Sequence, residues 1–406
     1  MQTVDPQAKT IGALTQAKGF RASGVATGIK ESGNPDVCVL VSDEPAAAAA
    51  VFTTSAFKAA PLHLSMGQVA DGRIRAAVIN AGNANCATGA QGLADAETMA
   101  TLTAERFGLE ASEVFVNSTG IIGHRLPMDQ IRDGIASVEP NADGGGDFAI
   151  AITTTDTHVK EAVASFENGG VTYHVGGCCK GAGMIHPNMA TMLAFVTTDA
   201  PIAAEVLAPC LRWAVDRSLN MVTIDGDTST NDSTLLLANG AAGGPPIDGS
   251  DTAAVEAFEG ALLGVLKSLA KMLASDGEGA SKMIEMTVSG AASFADARDV
   301  ARTVVKSPLV KAALNKGDPE NWGRVLMAAG YAGVPFEQDL VRLWVGGTQV
   351  AEAGASMGVS DELIKQAAGG DTVSMRLDLG AGNVSATAWG CDLTEEYVRF
   401  NTDYVT

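Results

Sequence analysis

Apolar positions in the first part of the chain alternate between short β-branched runs and longer stretches with helical spacing. Runs bounded by Gly, Asn, Asp or Ser predict strands at Val37–Val41, Ala76–Ile79 and Val114–Val116. Leu93–Phe107, between the second and third of these, predicts a helix. Strands that alternate with helices predict an α/β fold.

Two later stretches, Ile202–Leu219 and Val255–Leu273, repeat apolar residues at three- and four-residue spacing. We interpret both as helices packed on a sheet. After Glu285 the pattern changes to four strand-like runs, with helices near 296–316 and 360–368. These runs are MTVSGAAS, LVRLWVGG, TVSMRLDLG and VSATAWGCDL. The sequence thus predicts a layered α/β sandwich over 1–285, followed by a smaller C-terminal α+β domain over 286–406.

Composition narrows the possible functions. The 406 residues carry a net charge of −20, which disfavours nucleic acid and anionic membranes as partners. No 18-residue apolar run occurs and the first residues lack a basic and apolar signal pattern, so we expect a cytoplasmic protein. The six cysteines form no CxxC motif and predict reduced thiols.

Candidate metal and nucleotide motifs are incomplete. Asp225–Ser229 begins like a calcium-binding EF-hand loop, but Thr230 replaces the glycine and Leu236 the final acid of that motif. The five histidines show no metal-ligand spacing, and the Gly-rich GCCKGAG segment matches no nucleotide-binding pattern. No metal and no cofactor is therefore expected.

One run, KGAGMIHPNMATMLAF at 180–195, carries the candidate chemistry. Its glycines and Pro187-Asn188 predict an irregular loop that delivers Thr191 to the head of a strand, Leu193–Thr198. Attack by the Thr191 hydroxyl on the Ala190 carbonyl would release an N-terminal threonine whose α-amine, with a pKa of about 7.7–8.0, can serve as base. From spacing alone, an ordinary loop-to-strand junction is the favoured interpretation.

The same run resembles the self-processing signature of the ornithine acetyltransferase (glutamate N-acetyltransferase) family. Further segments resemble motifs of that family in the same order along the chain: VFTTSAFKAAP, VINAGNANCATG, NSTGIIG, DGDTSTND, DGEGASK and NWGR. The resemblance implies cleavage between Ala190 and Thr191 into two associated chains. It also implies a ping-pong reaction in arginine biosynthesis, in which Thr191 takes acetyl from N-acetylornithine and passes it to glutamate.

The resemblance assigns roles to further residues. Thr119 and Gly120 match the pair that stabilises the oxyanion. The matching substrate-binding positions, with Thr191, are Thr154, Lys180, Glu278, Asn401 and Thr406. Lys180 suits a carboxylate and Glu278 an amine. Two departures occur: His158-Val159 follow the Thr-Thr-Asp-Thr segment, and Glu320 lengthens the usual DPNWGR motif.

Two other functions stay open from the sequence. An autoprocessing aminopeptidase or amidase of related fold would need a path for water where a transferase excludes it. A non-enzymatic amino-acid-binding protein would keep its chain intact. The resemblance also leaves open whether acetyl-CoA is a substrate, and it implies an (αβ)₂ assembly.

Overall fold

The computed structural model describes residues 4–5, 9–186, 192–315 and 321–403, so the predicted Ala190, Thr191 and Thr406 lie outside the described residues. The strands are β1 (Phe20–Val25), β2 (Val37–Ser42), β3 (Ala47–Phe52), β4 (Ala76–Asn83), β5 (Val114–Ile121), β6 (Lys160–Asn168), β7 (Val171–Lys180), β8 (Leu193–Thr198), β9 (Val222–Thr223), β10 (Ser233–Ala238), β11 (Met283–Ala291), β12 (Arg342–Val345), β13 (Thr348–Glu352), β14 (Ala355–Ser356), β15 (Thr372–Asp378) and β16 (Val384–Cys391). The helices are α1 (Ala13–Gln16), α2 (Ala60–Gln68), α3 (Gly89–Phe107), α4 (Met128–Ser137), α5 (Gly145–Ala151), α6 (Ala204–Asp216), α7 (Thr252–Ser275), α8 (Phe294–Lys306), α9 (Pro308–Asn315), α10 (Gly323–Gly330), α11 (Asp361–Ala367) and α12 (Glu395–Asp403).

Two sheets form the centre of the molecule. The first has the order β1-β2-β4-β5, with β4 and β5 parallel and the other pairs antiparallel. The second has the order β3-β10-β8-β7-β6, with β8 and β10 parallel. In this sheet Ser233 is paired with Leu193, and Lys180 with Leu193 on the other side. The end of β7 and the starts of β8 and β10 therefore meet at one edge.

The alternation of side chains along these strands builds the layers. On β2, Cys38 and Leu40 face the second sheet, while Val37 and Val39 face α3 and α4. Phe148 of α5 packs edge-to-face on Phe195 of β8 between the sheets, with 5.1 Å between ring centroids. The other face of the second sheet packs on α6 and α7. The order of layers is helix, sheet, sheet, helix, and the predicted α/β sandwich is confirmed.

A third sheet follows in the order β14-β13-β12-β15-β11-β16-β9. It shares one hydrophobic cluster with α7 and α8, and this cluster continues to the second sheet. Its edge strand β9, Val222–Thr223, precedes residue 285 in the chain and pairs with β16. The domain boundary at 285 stays a prediction. Within the described ranges, none of the helices combines the length and apolar character that a membrane span requires.

Candidate active site

The edge where β5 and β7 end and β8 and β10 begin forms a cleft of about 110 Å³. Residues that line it include Ala84, Thr119, Gly120, Ile122, Thr154, Thr155, Lys180, Gly183, Met184, Ile185, Met192, Leu193, Ser229, Thr230, Asn231, Asp232, Glu278 and Asn401. Every predicted site residue that the structure describes is in this lining, although the six are spread over nearly 300 positions of the sequence. Met192, the residue bonded to Thr191, also lines the cleft.

Thr119 and Gly120 lie near the end of β5, where it runs beside β4. Gly120 has a φ of 128°, and a Cβ at this position would lie 2.3 Å from the carbonyl carbon of Gly82. A side chain is therefore excluded both by the backbone conformation and by the closeness of β4. The Thr119 side chain is buried and faces the cleft. The pair can present a hydroxyl and main-chain N–H groups to a negatively charged oxygen.

Asn231 holds the strand that carries this pair. Its side-chain amide donates to the main-chain oxygens of Ala84 at 2.6 Å and Ser118 at 2.8 Å. The Ser118 carbonyl belongs to the same planar peptide as the Thr119 N–H, so the hydrogen bond fixes the orientation of that N–H. Asn117 donates in turn to the main-chain oxygen of Asn231 at 3.1 Å. Neither asparagine has a spacing that indicates this role, although both lie in segments that resemble motifs of the family, NSTGIIG and DGDTSTND.

Lys180 is the last residue of β7 and its side chain lines the cleft. Burial lowers its pKa, while the nearby Asp156 and Asp232 act in the opposite direction. Among the described residues no carboxylate lies within ion-pair distance of its Nζ. The ammonium group can therefore receive a carboxylate from a ligand.

Glu278 follows α7 and is 9% exposed. Burial raises the pKa of its carboxyl, and hydrogen bonds from Thr155 and Asn401 oppose that shift. The amide of Asn401, on α12, donates to Glu278 Oε2 at 3.0 Å. The C-terminal helix thus reaches the cleft and holds the carboxylate. Thr154, directly before Thr155, lines the same wall.

A buried ion-pair network lies behind these residues. The Nζ of Lys160 contacts Asp156 Oδ1 at 2.5 Å and also contacts Asp276. Asp156 also accepts from the main-chain N–H of Gly181 at 2.7 Å and of Thr154 at 3.0 Å. Burial raises the pKa of Asp156, but the charges of Lys160 and Lys180 and the Gly181 N–H outweigh it and hold that pKa well below its usual value. The network fixes the segments that carry Thr154, Lys180 and Glu278, and nothing in the sequence pattern indicated Lys160.

Asp225 fixes the loop that follows Lys180. Its carboxylate accepts from the main-chain N–H groups of Met184 and Ile185, the latter at 2.9 Å. Met184 has a φ of 54°, which is strained for a residue with a side chain. The main-chain N–H of Ile224 donates to the Ile185 oxygen at 2.7 Å, and Thr228 donates to the His186 oxygen at 2.9 Å. The segment that begins like a calcium-binding loop therefore holds the main chain of residues 184–186. In the described ranges, no cluster of three or more His, Cys, Asp or Glu is arranged for a metal.

Comparisons with known proteins cover nearly the whole chain. The ArgJ family profile matches residues 21–406. The chain is 50% identical over 399 residues to the arginine biosynthesis bifunctional protein ArgJ of Symbiobacterium thermophilum, covering 97% of this chain and 99% of that protein. It is 45% identical over 397 residues to the protein of the same name from Dehalococcoides mccartyi, covering 97% and 98%. The chain belongs to the ArgJ family.

A solved ArgJ structure extends the comparison to the fold. The crystal structure of the arginine biosynthesis bifunctional protein ArgJ from Bacillus halodurans matches with a TM-score of 0.50 and 38% identity, covering 52% of this chain and 98% of that one. The family predicted from the sequence is confirmed. The predicted activity is confirmed as well: an acetyltransferase of the ornithine acetyltransferase type that acts in arginine biosynthesis. The roles of individual ArgJ site residues stay predictions.

Proposed function

We propose that the chain cleaves itself before Thr191 and that Thr191 then carries an acetyl group from N-acetylornithine to glutamate. The observation that carries this proposal is the convergence of Thr119, Gly120, Lys180 and Glu278 on one cleft whose lining includes Met192. Met192, which is bonded to Thr191, therefore lines the same cleft as a group suited to an oxyanion and groups suited to an amino acid.

The proposed reaction has two halves. The Thr191 hydroxyl attacks the acetyl carbonyl of N-acetylornithine, its proton passes to the α-amine of Thr191, and ornithine leaves as the acetyl-threonine forms. Glutamate then attacks the acetyl-threonine and regenerates the hydroxyl. Thr119 and Gly120 would stabilise the oxyanion of each tetrahedral intermediate, where removal of one such donor costs about 2.7–4 kcal/mol.

Charge complementarity supports the choice of substrate. Lys180 would bind the carboxylate shared by donor and acceptor, and Glu278, held by Asn401, would bind the side-chain amine of ornithine. Thr154 and Thr406 complete the proposed substrate contacts. The solved Bacillus halodurans chain spans just over half of this one, which is the share that cleavage before Thr191 would leave on the C-terminal side.

The decisive experiment is mass spectrometry of purified protein incubated with N-acetylornithine and no acceptor. We expect an acetyl group on Thr191 of the C-terminal fragment, and its transfer when glutamate is added. A label on another residue would reassign the nucleophile. Release of free acetate without transfer to glutamate would favour the aminopeptidase or amidase alternative.

We propose acetyl-CoA as a second acetyl donor, because the matched relatives are named bifunctional. A panel that compares N-acetylornithine plus glutamate with acetyl-CoA plus glutamate tests this point. We also propose an (αβ)₂ assembly, a cytoplasmic location and activity without a resident cofactor. Light scattering, cell fractionation and assay of dialysed enzyme would test them in turn.

A further inference from the structure

Asp232 is a buried carboxyl in the cleft for which the reaction as described has no use. It directly precedes β10, and its main-chain oxygen accepts from the Thr53 N–H at 3.0 Å. The next residue, Ser233, donates its N–H to the main-chain oxygen of Met192 at 3.0 Å. Asp232 is therefore held on the strand beside the chain that leads from Thr191, and its side chain is 3% exposed.

One oxygen of this carboxyl has no partner. Ser229 donates to the carboxyl, but Oδ2 is buried and makes no hydrogen bond within the part of the chain that the structure describes. Burial raises the pKa of Asp232 well above its usual value, and Lys180, the charged group that acts on it from β7, opposes the shift. A buried polar atom without a partner is rare in native proteins and destabilises the fold, so it points to a ligand atom.

The position of Lys180 indicates which ligand atom would bind Oδ2 of Asp232. Lys180 and Asp232 both line the cleft, yet they lie too far apart to form an ion pair. An α-amino acid carries a carboxylate and an amino nitrogen on one carbon, so its two groups can lie between the two side chains. Glu278 is a separate carboxyl in the cleft lining, held by Asn401 and Thr155, and it suits a second amine of the ligand.

We propose that Asp232 binds the α-amino nitrogen of the substrate, the atom that loses or takes the acetyl group. The inference rests on the proposed acetyl transfer and adds a residue to it. In the second half-reaction the Asp232 carboxylate takes one proton from the ammonium of glutamate. The freed nitrogen bonds to the acetyl carbon, the bond from that carbon to the Thr191 oxygen breaks, and the second proton of the nitrogen passes through the α-amine of Thr191 to that oxygen. In the first half-reaction the departing nitrogen of ornithine takes one proton from the neutral Asp232 carboxyl and one from the α-ammonium of Thr191, so that ornithine leaves as its ammonium form.

The test compares ornithine with 5-aminopentanoate, which has the same carboxylate and terminal amine but no α-amino group. In the wild-type protein we expect ornithine to bind at least about tenfold more tightly, as for a hydrogen bond to a charged group. The ratio of the two Kd values should fall to below about threefold in Asp232→Asn. In the matched variant Glu278→Gln both ligands should weaken and the ratio should persist. An unchanged ratio in Asp232→Asn would overturn the assignment.

A second measurement needs no variant. Calorimetry of the wild-type protein in buffers of different ionisation enthalpy counts the protons released on binding. Near neutral pH ornithine should release more protons than 5-aminopentanoate, because its ammonium group ionises the Asp232 carboxyl. Equal release would overturn the proposal. Acetyl transfer is assayed in the same preparation: its absence would reject the proposed function, whereas its presence with equal release would reject only Asp232.

Discussion

At the scale of single residues, Gly183 shows how closely the cleft is packed. Its φ is ordinary, but a Cβ there would lie 2.3 Å from Glu278 Oε1. Gly183→Ala must therefore displace the carboxylate that Asn401 holds. We expect the KM for N-acetylornithine to rise by about tenfold or more, since a charged partner of the side-chain amine is moved. Steady-state kinetics with each substrate in turn would measure this.

Gly264→Ala is the control for that variant. Gly264 lies within α7, and a Cβ there would meet no atom within 4 Å. Its kinetics should be unchanged, and its free energy of unfolding should rise by up to about 1 kcal/mol. An unaltered KM in Gly183→Ala would show that the Glu278 position does not set affinity for the donor.

Thr191→Ala is the sharpest test at this scale. Because the variant lacks the hydroxyl that attacks the Ala190 carbonyl, the chain should stay whole and acetyl transfer should be lost. Denaturing gels and mass spectrometry of the wild type should show fragments 1–190 and 191–406 instead. Thr191→Ser keeps the hydroxyl and should still be cut. A Thr191→Ala chain that is cut at the same bond would refute self-processing by Thr191.

At the scale of elements, the network around Lys160 joins the start of β6 to the segments before β6 and after α7. Lys160 and Asp156 are fully buried, and Asp276 is 4% exposed. Lys160→Met would leave two buried carboxylates without their cation, which typically costs 3–5 kcal/mol in unfolding free energy. Chemical denaturation would measure the loss. Lys271→Met, which removes a partly exposed ion pair with Glu285, should cost less than about 1 kcal/mol.

The same network predicts a pH dependence. The folded pKa of Asp156 is lowered, so its contribution is present above the unfolded value of about 3.9 and is lost as the pH falls. Burial lowers the pKa of Lys160, but the two carboxylates outweigh it and raise that pKa. The Lys160 contribution is thus present below about pH 10.4 and is lost as the pH rises through the folded value. The difference in unfolding free energy between wild type and Lys160→Met should narrow below about pH 4. A constant difference would exclude the ion pairs as its cause.

At the scale of the whole molecule, the proposed cut divides one sheet between two chains. Strands β3, β7 and β6 precede residue 190, and β8 and β10 follow it, while the order in the sheet is β3-β10-β8-β7-β6. Each fragment therefore pairs with the other at two places, and both contribute to the same hydrophobic clusters. We expect the fragments to elute together in size-exclusion chromatography and to separate only in denaturant. Separation under native conditions would contradict this.

The sequence by itself predicted the elements whose side chains repeat regularly. Leu93–Phe107 and Val255–Leu273 appear within α3 and α7, and the four runs after Glu285 contribute strands to the third sheet. Periodicity succeeds there because burial of one face determines the structure. The Ala-rich segment Ala47–Phe52 has no such signal, and alanine favours helices, yet it forms β3. Pairing with β10 and packing on α6 decide its conformation.

The candidate site divides in the same way. Motifs that resemble a known family indicated Lys180, Glu278, Thr119 and Gly120, because each of these residues lies in a short stretch of sequence that can be recognised without the fold. Only the tertiary structure could place Lys160 between two buried aspartates. It alone could also leave an oxygen of Asp232 without a partner inside the cleft. These properties depend on burial and on neighbours that are distant in the sequence, as Asp276 is from Lys160 and Lys180 is from Asp232. A buried charge takes its role from what surrounds it.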